Sequence, residues 1–140
     1  MVSAFACSNG VVLGQECAEE KSNEIKAIPA LLALLALKGC IVTIDAMGYQ
    51  KAIAKQIRQG KGDYVLAVKD NHASLHLAIV DWFDVAQAHG SKHTAHGYYE
   101  QTDKGHGRIE VRRYWVSEDL SGLATPERWA GLRSHRCGGE

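Results

Sequence analysis

Apolar and polar residues at the start of the chain alternate as in a β-hairpin. Two β-favouring runs, residues 2–6 and residues 11–15, are separated by Ser8-Asn9-Gly10. Asn-Gly between two apolar runs is the strongest short-range signal for a hairpin. We therefore predict that the chain begins within a sheet, with a first strand that starts almost at Met1.

The next segments follow the order helix, strand, helix, strand. Apolar residues from Ile25 to Leu35 recur at helical spacing, and Lys38-Gly39 after them predicts the end of that helix. Residues 41–44 and 63–69 are typical of buried strands, and residues 50–59 predict a helix between them. A crossover of this length is right-handed and makes its two strands parallel and usually adjacent.

The second half of the chain has a weaker pattern. Residues 75–88 predict a third helix, and residues 89–105 predict a polar connection. Residues 109–116 alternate with period two, which predicts a half-exposed strand with one face formed by Ile109, Val111, Arg113 and Trp115. Residues 121–140 have too little apolar periodicity to close a core, so we expect a loose tail.

Asp45 directly follows the predicted strand at residues 41–44. In open α/β sheets the carboxyl ends of the strands form the functional crevice, so a carboxylate there is a candidate for metal or phosphate chemistry. Asp is also a common cap, and Asp45 could equally cap the helix that begins near Tyr49. Both interpretations stay open. Lys69-Asp70-Asn71 ends the next strand and is expected at the same edge.

The overall composition and net charge of the chain give little information about its function. The 140 residues include 16 basic and 16 acidic ones, so net charge identifies no partner. The distribution is uneven, because residues 49–71 contain five basic residues and two acidic ones. A second basic group surrounds Glu110: Lys104, Arg108, Arg112 and Arg113. Positive charge downstream of Asp45 is compatible with a polyanionic partner.

The cysteine pattern and the residues at the start of the chain predict the cellular compartment of the protein. The four cysteines show no CxxC pairing, and no basic and apolar leader opens the chain. The longest apolar stretch, residues 28–37, contains Pro29 and is too short to cross a bilayer. We therefore expect a cytoplasmic protein with reduced thiols and no membrane association.

Other catalytic and metal-binding functions need residues that the sequence does not provide. The sets His89-x3-His93-x2-His96 and His72-x3-His76 have spacings that helical zinc ligands use, but Gly and Ser interrupt the first set and no Cys lies near either. An aspartyl-phosphate acceptor would need further acids before Asp45, and none stands in the right place. The sequence contains no GxSxG, GxxxxGK[ST] or HExxH motif.

Several stretches, in order over about residues 2–120, form a pattern that is far more specific than any one of them. They are Val2-Ser3-Ala4-Phe5, Val12-Leu13-Gly14-Gln15, Glu20-Lys21-Ser22-Asn23-Glu24-Ile25 through Ile28-Pro29-x-Leu31-Leu32, Ile41-Val42-Thr43-Ile44-Asp45-Ala46-Met47-Gly48-x-Gln50, Asp63-Tyr64-Val65-Leu66-Ala67-Val68-Lys69-x-Asn71 and His106-Gly107-Arg108-Ile109-Glu110. This pattern closely resembles insertion-sequence transposases of the H-repeat-associated type, which belong to the DDE class.

The resemblance implies an α/β chain with a partial RNase H-like fold. Its mixed sheet would combine the N-terminal hairpin with the β-α-β unit, with helices packed on it and a β-rich C-terminal extension. The implied limits are residues 1–88 for the transposase core, 89–105 for the polar connection, 106–120 for the start of a β-rich insertion and 121–140 for the loose tail.

The resemblance also implies Mg²⁺-dependent hydrolysis and strand transfer at transposon DNA ends, performed by two Asp and one Glu. Asp45 resembles the second acid and is the expected metal ligand. The first Asp belongs to a strand upstream of the hairpin, and the Glu belongs to a His-Trp-x-x-Glu segment that is not found here. Glu110 is a substitute catalytic candidate, although a structural or DNA-facing place beside Arg108 and Arg112 fits it better.

The expected function is that of a truncated fragment of a transposase catalytic domain, inactive alone, with weak or absent Mg²⁺ binding. Asp70 and His72 depart from the Gly and Gln usual in the family, and the tail from about Ser134 no longer resembles it. Expected partners are transposon-end DNA and a full-length transposase. The competing hypothesis is a non-enzymatic DNA-binding or regulatory remnant. The expected DNA contacts are Lys51, Lys55, Arg58, Lys69, Asn71, Arg108 and Arg112.

Overall fold

The computed structural model describes residues 1–17, 24–45, 51–69, 72–88, 96–105, 108–123 and 125–139. These residues form a mixed α/β structure with small sheets. The helices are α1 (Glu24–Ala33), α2 (Lys51–Gln59) and α3 (Ala73–Ala88), with a short 3₁₀ helix at Pro126–Arg128. The strands are β1 (Val2–Ala6), β2 (Val11–Glu16), β3 (Ile41–Ile44), β4 (Asp63–Leu66), β5 (His96–Gly105), β6 (Arg108–Ser117) and β7 (His135–Gly139).

The chain divides into two compact units. The first contains Met1–Asn71 and Arg128–Gly131, and the second contains His72–Glu127 and Leu132–Glu140. The pairs β1-β2 and β3-β4 belong to the first unit, and the three-stranded sheet β5-β6-β7 belongs to the second. None of the helices in the described ranges has the length and apolar character of a membrane-spanning segment. The RNase H-like domain limits of residues 1–88 remain a prediction.

The N-terminal hairpin is confirmed. Strands β1 and β2 pair antiparallel, and the last pair of the ladder is Ala6 with Val11. The amides of Asn9 and Gly10 both donate to the carbonyl of Ala6, at 3.3 and 2.9 Å, and so close the turn. Gly10 has a φ of +67°, in the left-handed region where a side chain is disfavoured. The Asn-Gly signal therefore identified the turn because it supplies this conformation.

Helix α1 ends earlier than its apolar spacing predicts. The helix stops at Ala33, whereas the pattern extends to Leu35 and the predicted stop is Lys38-Gly39. The amides of Leu34 and Leu35 donate to carbonyls three residues back, at 3.1 and 3.3 Å, which is the tighter geometry of a terminating turn. This turn allows the chain to leave the helix and bury Leu37 in the core.

The predicted strand, helix, strand crossover is confirmed. Strands β3 and β4 pair parallel, from Ile41 opposite Asp63 to Ile44 opposite Leu66, with α2 between them in the chain. The side chains of Ile53 and Ile57 on α2 are fully buried. They form one core with Leu32, Leu37, Val42, Ile44 and Tyr64. Strand β4 ends at Leu66 rather than at Lys69.

The single mixed sheet that the resemblance implied is not formed by the described residues. In that part of the chain β1-β2 and β3-β4 are separate two-stranded sheets, because β1 and β3 are not hydrogen-bonded neighbours. Helix α1 lies against the hairpin, where the side chain of Leu31 covers Gly14. A Cβ atom at Gly14 would lie 3.1 Å from Leu31 Cδ1, so a larger residue there would require the Leu31 side chain to move by a few tenths of an ångström.

The second unit differs from its prediction in two segments. Residues 96–105, expected as part of a polar connection, form strand β5, which pairs with β6 from His96 opposite Ser117 to Gly105 opposite Arg108. Residues 135–139, expected in a loose tail, form β7 on the other side of β6. Leu123 and His135 are 5% and 6% exposed, and Trp129 in the first unit is 4% exposed. The expectation of a loose tail is therefore wrong for these residues.

Replacing Ile57 by Ala should lower the free energy of unfolding by about 2–5 kcal/mol, because it removes a fully buried side chain and leaves a cavity. Ile41 provides the matched control, since its side chain is 69% exposed in the same unit. Ile41→Ala should cost less than about 1 kcal/mol. Urea denaturation followed by far-UV circular dichroism measures both, and equal losses would contradict the assignment of the core.

Candidate functional site

Asp45 and Lys69 leave the same edge of the β3-β4 pair. Asp45 directly follows Ile44, whose parallel partner on β4 is Leu66. The amide of Ala67 donates to the carbonyl of Ile44 at 3.2 Å, so the pairing continues to the end of both strands. Both Asp45 and Lys69 are exposed. The predicted edge is thus present, while Asp70 and Asn71 lie outside the described residues.

Asp45 can supply one hard oxygen donor to a divalent cation. A two-metal site for phosphodiester chemistry needs two or three converging carboxylates. Across the described ranges, no group of three or more His, Cys, Asp or Glu residues is arranged to hold a metal ion. The described residues therefore do not make a complete Mg²⁺ site. In the first of the two histidine sets considered for zinc, His89 and His93 lie outside the described residues.

Three cations predicted to contact DNA share one face of α2. Lys51, Lys55 and Arg58 occupy positions i, i+4 and i+7, which follow one another along a helix surface. Lys55 is exposed. The ammonium group of Lys51 lies 5.5 Å from the centre of the Trp129 ring, a distance at which a cation is attracted to an aromatic face. Lys51 is therefore partly engaged within the protein.

Arg58 is held by the turn between α2 and β4. Its Nη1 donates to the carbonyl of Gly62 at 2.9 Å and forms an ion pair with the carboxylate of Asp63. Gly131, with a φ of +69°, lies against the same side chain, where a Cβ atom would come within 2.7 Å of Arg58 Nε. These contacts make Arg58 a structural residue first, so Lys55 and Lys69 are the better candidates for DNA contact in this unit.

Glu110 is engaged in an ion pair on the second sheet. Its Oε2 lies 2.8 Å from Nη2 of Arg112, and Nη1 of the same guanidinium lies 3.7 Å from Asp103 Oδ2. Asp103 and Glu110 are opposite each other in the β5-β6 ladder, so one cation bridges two carboxylates. This geometry favours the structural interpretation of Glu110 over the catalytic one. Only the backbone of Arg108 is described, opposite Gly105.

A second ionic group on this sheet involves Tyr98, Glu100 and Arg113. The Tyr98 hydroxyl donates to Glu100 Oε2 at 2.5 Å, and Arg113 Nε donates to the same oxygen at 3.1 Å. The Tyr98 hydrogen bond, together with Arg113, lowers the pKa of Glu100, and that hydrogen bond raises the pKa of Tyr98. All three side chains are exposed, so these interactions contribute little to the stability of the fold.

His135 is a buried titratable residue that the sequence did not single out. Its Nε2 lies 2.9 Å from the carbonyl oxygen of Asp119, and its ring is 5.0 and 5.1 Å from the rings of Trp82 and Phe83. Within the described structure, Nδ1 is buried without a hydrogen-bond partner. Burial lowers the pKa of His135 below its ordinary value of 6.5. No local pattern could have indicated this, because α3 and β7 are distant in sequence.

A comparison with models of protein families identifies the family of the chain. Residues 1–138 match the family model described as "Transposase DDE domain". The chain belongs to the DDE transposase family. The predicted resemblance is thereby confirmed. The match continues to residue 138, so the expectation that the tail from about Ser134 departs from the family is wrong.

Relatives of this DDE transposase chain include proteins of two bacterial genera. It is 47% identical over 139 residues to "Putative transposase YncI" of Escherichia coli O157:H7, covering 95% of this chain and 34% of that protein. It is 42% identical over 134 residues to "H repeat-associated putative transposase YhhI" of Escherichia coli K12, covering 95% of this chain and 35% of that protein. It is also 42% identical over 134 residues to "Uncharacterized protein in dhlA 3'region" of Xanthobacter autotrophicus, covering 96% of this chain and 44% of that protein.

The DDE transposase chain thus spans less than half the length of the curated relatives that it matches, between 34% and 48%. No solved structure matches it.

Replacing Arg58 by Met should lower the free energy of unfolding by about 1 kcal/mol, because the carbonyl of Gly62 and the carboxylate of Asp63 lose their partner. Lys55→Met provides the control on the same helix face and should change stability by less than about 0.5 kcal/mol. Urea denaturation measures both. If the two variants were equally stable, the structural role of Arg58 would be wrong.

The stability of the transposase chain should depend on pH through His135. Because the folded state disfavours the charged imidazole, the unfolded state takes up this proton first as the pH falls. The free energy of unfolding should be insensitive to His135 above about pH 6.5 and should decrease as the pH falls from there through the folded pKa. His135→Phe should remove this part of the pH dependence, as measured by thermal unfolding between pH 7.5 and pH 5. An unchanged pH profile in the variant would contradict the prediction.

Proposed function

We propose that this chain forms part of the catalytic domain of a DDE transposase, in an RNase H-like arrangement, and that Asp45 is one of the carboxylates that bind Mg²⁺ during cleavage and transfer of transposon-end DNA. The observation that carries this proposal is the place of Asp45. It leaves the carboxyl end of β3, beside the end of the parallel strand β4. In open α/β sheets this is where ligands bind.

The metal site needs further acids. The relatives YncI of Escherichia coli O157:H7 and YhhI of Escherichia coli K12 are more than twice as long as this chain. Additional carboxylates can therefore come from outside the 140 residues, in the same polypeptide or in a second transposase chain. A bound Mg²⁺ would supply Lewis-acid stabilisation of charge on the reacting phosphate. With Asp45 as its main donor, the chain alone should bind the ion weakly and should not cleave DNA.

Two exposed lysines of the first unit suit a DNA substrate, and one of them lies at the strand edge of Asp45. Lys69 is exposed at the same edge, and Lys55 is exposed on α2. Both are available to phosphate groups, whereas Arg58 and Arg112 are engaged with carboxylates of the protein. Lys38 is also exposed, but it precedes β3 and therefore lies toward the opposite, amino end of the strands.

The metal-binding role of Asp45 can be tested with Mn²⁺ as a paramagnetic probe for the Mg²⁺ site. Titration should broaden the amide NMR signals of residues around the ends of β3 and β4 at low Mn²⁺ concentration. Asp45→Asn should abolish this broadening. Asp81→Asn, which removes an exposed carboxylate from α3, should leave it intact.

The same proteins, mixed with transposon-end DNA and Mg²⁺, should release no cleavage product. Broadening that persisted in Asp45→Asn would refute the metal assignment. Mg²⁺-dependent cleavage by the isolated chain that Asp45→Ala abolished would refute the expected inactivity instead.

The second candidate function is DNA binding without catalysis, and the exposure of Lys55 and Lys69 favours it. Both should contact phosphates, so charge reversal in Lys55→Glu/Lys69→Glu should weaken binding and reduce its salt dependence by about one unit of slope for each phosphate that is no longer bound. Lys38→Glu is the matched control and should bind almost as well as the native chain. Gel shifts at several salt concentrations measure this, and equal weakening by the control would argue against a defined surface.

A further inference from the structure

The segment Arg128–Gly131, which we call the strap, comes from the far end of the chain but belongs to the first unit. The residues on either side of it, Glu127 and Leu132, belong to the second unit. Trp129 in the strap is 4% exposed, although residues 129–131 are part of no helix or strand. Side-chain packing therefore contributes most of what holds the strap in place.

The strap follows one line along α2. The ammonium group of Lys51 lies 5.5 Å from the centre of the Trp129 ring. Two residues later, a Cβ atom at Gly131 would come within 2.7 Å of Arg58 Nε. Helix positions seven residues apart differ by only about 20° around the axis and by about 10 Å along it. The strap thus covers α2 over about two turns, from Lys51 to Arg58.

The exposure of the three cations on α2 agrees with this path. Lys51 and Arg58 are half-buried, whereas Lys55 between them is exposed. Lys55 is turned about 40° from Lys51 around the helix axis, to the side away from Arg58. The strap therefore covers two of the three cations and leaves the third open to solvent.

The contact with Trp129 covers the charge of Lys51 without neutralising it. An aromatic face attracts a cation, but the ring carries no net charge. Arg58 differs, because the carboxylate of Asp63 and the carbonyl of Gly62 bind its guanidinium group independently of the strap. Release of the strap would therefore uncover one positive charge, that of Lys51, on the helix that carries exposed Lys55.

We propose that the strap is an autoinhibitory contact, which withholds Lys51 from the phosphate groups of DNA until the strap is released. The inference rests on the proposed DNA binding and adds its regulation. Trp129 and a phosphate compete for the same ammonium group, so DNA binds the released conformation more tightly and shifts the chain toward it. The strap thus lowers the affinity of the chain for DNA.

Replacing Trp129 by Leu in the full chain should release the strap and strengthen DNA binding. Fluorescence anisotropy with a sixteen-base-pair duplex should show an affinity gain of about fivefold or more at about 50 mM salt. One added phosphate contact steepens the salt dependence by about one unit, so the gain should shrink about threefold at about 200 mM salt. Lys51→Met should abolish the gain in the Trp129→Leu chain and should change the affinity of the native chain little.

Gly131→Ala releases the strap from its other end while Trp129 is kept. The added methyl group would collide with Arg58, so this variant should also bind the duplex more tightly, again only when Lys51 is present. It decides the test if circular dichroism shows that Trp129→Leu is unfolded. Ile53→Val is the matched control, because it loosens the fully buried face of α2 without uncovering a cation and should leave the affinity unchanged.

Equal affinity of the native chain and the folded strap variants would overturn the inference, and so would a gain that persisted with Lys51→Met or appeared with Ile53→Val. If no variant bound the duplex, the strap and the proposed DNA binding would both be refuted. Binding without a gain refutes the strap alone. Asp45→Asn should keep the gain, so a failed Mn²⁺ test together with a gain in Trp129→Leu contradicts only the proposed metal site.

Discussion

Burial of one face of α2 is the constraint on which the first unit depends. Ile53 and Ile57 are fully buried against Leu32 and Leu37, and the strands β3 and β4 contribute Val42, Ile44 and Tyr64 to the same core. Because the helix is the connection between these strands, its packing holds them parallel. The parallel pairing then brings Asp45 and Lys69 to one edge. The position of the candidate site is therefore a consequence of the hydrophobic packing beneath it.

The elements that the sequence predicted correctly are those whose signals are local. The hairpin turn needs a residue with positive φ at Gly10, and the crossover needs two apolar strands around an amphipathic helix. Both requirements are visible within short windows. The position of Asp45 follows from the second one, so the best candidate residue can be found from the sequence pattern alone. Acid partners for a metal site at Asp45 cannot be found in this way, because such a site is defined by distances between segments that are far apart in the sequence.

The elements that the sequence missed are stabilised by distant partners. Strand β5 contains Tyr98, Glu100, Thr102 and Lys104 on one face, which is polar enough to be taken for a connection. It forms because β6 provides a ladder and opposite charges, such as Arg113 beside Glu100. Similarly, β7 has almost no apolar character, and its place depends on β6 and on the contact of His135 with α3. Burial of Leu37 ends α1 early for the same reason, since no local signal reports the position of the core.

The number of basic residues in the sequence overestimates how many cations are available to bind DNA. Of the cations assigned to DNA, Arg58 is bound to Gly62 and Asp63, Arg112 lies between two carboxylates, and Lys51 faces Trp129. Each of these would exchange a contact within the protein for one with a phosphate, so its net contribution to binding is small. Under the proposed DNA binding, exposed Lys55 and Lys69 would contribute more than these three residues, and Lys69 is at the same strand edge as Asp45. A phosphate bound by Lys69 would therefore lie at the same edge of the β3-β4 pair as Asp45, the carboxylate that we propose for the metal.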